Sequence, residues 1–182
     1  MSDLYQRVSD SRTGLERLLG KIPGYKGYKE KEMRRESDRL LRETIVTRMG
    51  EQRQRMDDLQ RMLISAGRLE YLDEMGSATT RLQTFIDRVR FASYGYAGLF
   101  DAVRVREAEL DRLYDFDQAL LEYGDRLETA LNSLEIAIPA GEGLAEAVRQ
   151  VMSICAEANR TFDEREQVIL AGAASGGEAE TR

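Results

Sequence analysis

The sequence predicts an all-α fold, an elongated up-and-down bundle of four to five long amphipathic helices with coiled-coil-like heptad seams, and three observations predict it. Apolar residues recur at spacings of three and four along most of the chain, the helical period rather than the strand period. Gly and Pro are sparse and grouped, with only two Pro in 182 residues, so the stretches between them are long enough for many helical turns. Leu113, Leu120, Leu127 and Leu134 repeat every seven residues, the interval of a seam that faces a neighbouring helix.

The first helix is expected over about residues 3–19, with Ser2 as its N-cap, a stripe of Leu4, Val8, Leu15 and Leu18, and Gly20 where a C-terminal cap falls. Lys21 to Tyr28 contains Pro23, Gly24 and Gly27 and reads as a loop. A second, charged helix is predicted over about 29–66. Its seam of Leu41, Ile45, Met49, Met56, Leu59, Leu63 and Ala66 steps at close to 3.5 residues, giving a narrow apolar edge suited to a bundle. Met62 is also assigned to packing, with Met49, Met56 and Met75.

Gly67 breaks or weakens the chain before a third helix over about 69–92, which carries Leu69, Leu72, Met75, Leu82, Ile86 and Val89 and a candidate kink at Gly76-Ser77. Tyr94 to Gly98 forms a second aromatic and glycine loop. The fourth helix is expected over about 100–136, ending ahead of Pro139. Beside its leucine heptad a second seam position is filled by Leu110, Leu131 and Ile138, but also by Asp117 and Gly124, which are odd occupants of a core. The fifth spans about 142–174 with Leu144, Val148, Val151, Cys155, Ala158, Phe162 and Ile169 on one face. Residues 1–175 then form one helical-bundle domain and 176–182 a disordered tail.

Composition narrows the function. The chain has no His, so no Ser-His-Asp triad, Cys-His dyad or His-ligated metal site can be built from it. Its single Cys, Cys155, cannot close an internal disulfide, and on the apolar stripe it reads as a small packing residue. No run approaches the ~18–20 apolar residues of a bilayer span, and residues 1–10 lack the apolar core of a secretory signal. The expected compartment is the cytoplasm, with no transmembrane segment.

Two features mark places for a partner. Tyr25, Tyr28, Tyr94 and Tyr96 lie in the two glycine loops, which up-and-down topology brings to one end, where the rings either plug the core or form a recognition surface. Beside them stand all four Lys of the chain, Lys21, Lys26, Lys29 and Lys31, followed by Arg34, Arg35, Arg39 and Arg42. Against Glu30, Glu32, Glu36 and Asp38, these eight give a local balance of +4 in a chain whose net charge is −6. A glycine loop leading into a helix start with Lys nearby can receive an anion, although Glu30 and Glu32 can satisfy the helix dipole themselves. Nucleic acid is disfavoured by the sequence pI near 5.0 and the interleaved acids, and a membrane surface by the thin apolar edge.

Asp117 at a core position needs a partner if buried, because an unpaired buried carboxylate costs several kcal/mol; Arg42 and Gln52 are the candidates. The reading favoured by these observations is a non-enzymatic helical interaction or scaffold protein. It engages a partner protein through Tyr25, Tyr28, Tyr94, Tyr96, Lys21, Lys26, Lys29, Lys31, Arg34 and Arg35, or associates with itself through spare seams, and it needs no cofactor or metal. The alternative is a Mg-dependent carboxylate enzyme acting on a phosphorylated small molecule or nucleotide. Glu70-x-x-Asp73 and Glu122-x-x-Asp125 match the local spacing of such sites, but the heptad turns Glu122 and Asp125 away from the seam.

Overall fold

The structure is a computed structural model in which residues 15–27, 31–92 and 107–177 are described. All regular structure within them is helical. Helix α1 covers 15–21, α2 Lys31–Ser65, α3 Leu72–Phe91, α4 Glu107–Ala140 and α5 Leu144–Gly177, and a 3-10 turn at Leu69–Tyr71 leads into α3. The fold is an all-α bundle.

Four boundaries differ from the sequence expectation. Helix α1 runs through Gly20, and the positive φ falls later, at Gly24 (+81°), where the chain turns. Helix α3 is continuous across Gly76-Ser77, because an isolated glycine removes a side chain without removing a backbone hydrogen bond. Helix α4 contains Pro139 and ends at Ala140. A proline this close to the end forfeits one backbone bond near carbonyls that lack intrahelical partners anyway, while burial of Ala137 and Ile138 holds the last turn in place. Helix α5 extends to Gly177, two residues into the expected tail; residues 178–182 lie outside those described, as does the first helix before residue 15.

The chain divides into two compact units. One comprises Ile45–Val89 and Leu121–Arg160, the other Met1–Thr44, Arg90–Leu120 and Thr161–Arg182. In the first of these, α2 and α3 form a helical hairpin bridged by Gln60 Nε2 donating to Thr79 Oγ1 at 2.8 Å. Helices α4 and α5 form a second hairpin, in which Arg126 lies 4.9 Å from the Tyr123 ring centroid and pairs with Glu157 at 2.8 Å. Arg48 pairs with Asp125 and Arg55 with Asn132, both across a separation of 77 residues. A constant offset means that α2 and α4 run parallel and in register here. The core between the hairpins holds Met56, Leu59 and Leu63 with Leu82, Phe85 and Ile86, and Leu127, Leu131 and Leu134 with Val148, Val151 and Cys155. Gly124 is buried beside the Arg48 stem, which a Cβ there would meet at 3.8 Å, an ordinary van der Waals contact.

Both hairpin turns of this unit end in left-handed glycines. Helix α2 closes in a Schellman motif, with Gly67 N–H donating to Ile64 O at 3.0 Å and Arg68 N–H to Leu63 O at 2.9 Å, and Gly67 supplies φ +69°. Helix α4 closes with Gly141 N–H on Ala137 O at 2.8 Å, at φ +75°. The Arg68 guanidinium lies directly against Gly141, where it faces the negative end of the α4 dipole. Met62 and Leu69, expected as packing residues, are instead exposed, because each sits beyond the edge of the buried stripe that runs through Leu59 and Leu63 to Met75; Ala66 is exposed for the same reason.

Replacing Gly141 with Ala forces an L residue into the left-handed region and a methyl into the Arg68 guanidinium, so it should cost at least about 1–2 kcal/mol. Gly50→Ala, within α2 and with open space around the added methyl, should stabilise by about 0.5–1 kcal/mol. Chemical denaturation of the two variants checks the opposite signs.

Candidate functional site

In the unit that holds α1, the beginnings of α2 and α4 and the end of α5, the leucine and apolar stripes of the sequence bury polar residues as well as apolar ones. Asp117 lies on α4 between Leu113 and Leu120 and is 0% exposed. Arg165, on α5 three residues after the buried Phe162, is 1% exposed, and Asp38, on α2 three residues before Leu41, is 2% exposed. The Arg165 Nε donates to Asp117 Oδ1 at 2.6 Å and its Nη2 to Asp38 Oδ1 at 2.8 Å. One turn along α2, Arg42 Nε donates to the other Asp38 oxygen at 2.7 Å. Two guanidiniums and two carboxylates thus meet from three helices. Short charge-assisted bonds of this kind compensate a desolvation cost that neither carboxylate could bear alone.

Asp117 is bonded by Arg165, which was not among the candidates Arg42 and Gln52. Arg42 belongs to the same cluster but is held by Asp38, its i−4 neighbour, and Gln52 lies in the other unit. Neither Arg165 nor Asp38 stood out in the sequence, since charged residues on charged helices read as solvated. The available signal was position: Asp38, Leu41 and Ile45 continue the α2 seam backwards, and Arg165 fills the gap between Phe162 and Ile169 on the α5 stripe. Chemically, the cluster braces α2, α4 and α5.

The same unit holds part of the proposed recognition surface. Tyr25 is buried at 2% exposure, as a plug of the core. Behind it, Ser37 pins the loop to α2: its hydroxyl donates to Gly27 O at 3.0 Å and accepts the Lys26 N–H at 3.3 Å. Gly27 is required by two facts at once, a φ of +84° and a Tyr114 hydroxyl 2.7 Å from where a Cβ would stand. This anchoring leaves Lys26 exposed and Lys21 half-buried. Lys31, Arg34 and Arg35 fall on the first turns of α2, with side chains outside the described residues, and Tyr28, Lys29, Tyr94 and Tyr96 lie outside them altogether.

Further along α2, Arg39 is clasped by Glu36 at 2.6 Å and Glu43 at 2.7 Å. The Arg39 hydrogen bond holds the Glu36 carboxyl below its ordinary value, and the two carboxylates together push the Arg39 guanidinium up. The positive excess of the segment therefore sits ahead of Glu36.

The carboxylate pairs that suggested an enzyme do not converge. Glu70, Asp73, Glu122 and Asp125 are all exposed, and Asp125 is engaged by Arg48 at 3.4 Å. Among the described residues no three His, Cys, Asp or Glu side chains gather where they could hold a metal ion. Cys155 is buried among the α5 apolar residues, and that burial pushes its thiol up to about 12, with nearby Arg81 opposing only in part. No helix among the described residues is long and apolar enough to cross a membrane. No family model, curated protein or solved structure matches this chain.

Two predictions follow from the buried groups. Arg165→Met removes one charged partner from Asp117 and one from Asp38, leaving Asp38 with Arg42, and should cost about 3–5 kcal/mol, whereas adding Asp117→Leu to it should cost less than the sum of the two single changes. Urea titrations of the three variants measure that coupling. Cys155 should resist iodoacetamide at pH 8 in the folded chain and react on unfolding. Because its folded value lies above the unfolded ~8.5, the thiol leaves stability intact below that pH and withdraws it as pH rises towards the folded value.

Proposed function

We propose that the chain is a helical interaction protein that docks an acidic segment of a partner protein on the stretch from Lys21 to Arg35. One observation carries this reading, the net positive balance of that stretch in the sequence. Glu36 is neutralised by Arg39, and Asp38 lies between Arg42 and Arg165. Ahead of them the sequence sets Lys21, Lys26, Lys29, Lys31, Arg34 and Arg35 against Glu30 and Glu32, six positive residues to two negative, or +4, within a chain of net −6. The backbone of the loop that displays Lys26 is pinned by Ser37, so less of the loop has to be ordered on binding.

Tyr25 is not part of the proposed face, because its ring is buried. Tyr28, Tyr94 and Tyr96 are proposed as its aromatic contribution, since Tyr is enriched at interaction hot spots and loses little freedom on binding. Self-association belongs to the same reading, and the expected compartment remains the cytoplasm.

The test is a pull-down from nuclease-treated lysate of the source cell, comparing the wild type with Lys26→Glu/Lys31→Glu/Arg34→Glu/Arg35→Glu, with circular dichroism confirming that the variant is folded. A protein with an acidic segment should be retained by the wild type, released as salt rises, and lost with the variant. Equal retention by both chains, or by neither, contradicts the proposal.

A further inference from the structure

We draw no further inference here: the strongest candidate, the exposed apolar side chains Met62, Ile64 and Leu69 at the turn between α2 and α3, stands without anything in the structure to show what covers it.

Discussion

The guanidinium of Arg165 lies where an aliphatic side chain would be expected, on the apolar stripe of α5, and it is shared by one carboxylate from α2 and one from α4. Apolar contacts tolerate sliding and rotation, since one methyl serves nearly as well as its neighbour. A guanidinium fork held at 2.6 and 2.8 Å tolerates neither. Three helices whose remaining core is Leu41, Leu113, Tyr114, Leu120 and Phe162 are thereby restricted to one register, because any slip leaves a charge buried without its counterion. The second unit contains no such cluster among its described residues and depends instead on close apolar packing, with cross-helix ion pairs confined to its surface, where each contributes little.

Much of this was legible in the sequence, and the parts that were not share a physical cause. The helical period gave the all-α class, and the seam positions Leu41, Ile45, Met49, Met56, Leu59 and Leu63 are all buried, as are Leu113, Leu120, Leu127 and Leu134. Helix ends were read less well, because ends are decided by a few local bonds. Pro139 near the end of α4 is tolerated where one inside the helix would not be, and Gly20 was a plausible cap until the chain placed its left-handed residue at Gly24. Exposure of Met62 and Leu69 depends on where the bundle stops rather than on periodicity, so no pattern within one helix reveals it.

The polar core was half legible. Asp117 is conspicuous because it interrupts a leucine heptad, but its partner is not, since Arg165 is surrounded in sequence by Asp163, Glu164 and Glu166 and looks like one more residue of a solvated face. Partnership between residues 48 positions apart is a tertiary fact that single-chain periodicity does not contain.

The central claim is that Arg165 fixes the helices of its own unit and not those of the other. Hydrogen–deuterium exchange of the wild type and Arg165→Met tests it most directly. The account predicts that amides around Ser37 to Thr44, Leu113 to Leu120 and Thr161 to Arg165 lose protection together, while those of Met49 to Leu63, Ala78 to Val89 and Leu127 to Leu134 keep theirs. Exchange that rises equally in both units, or in neither, would contradict it.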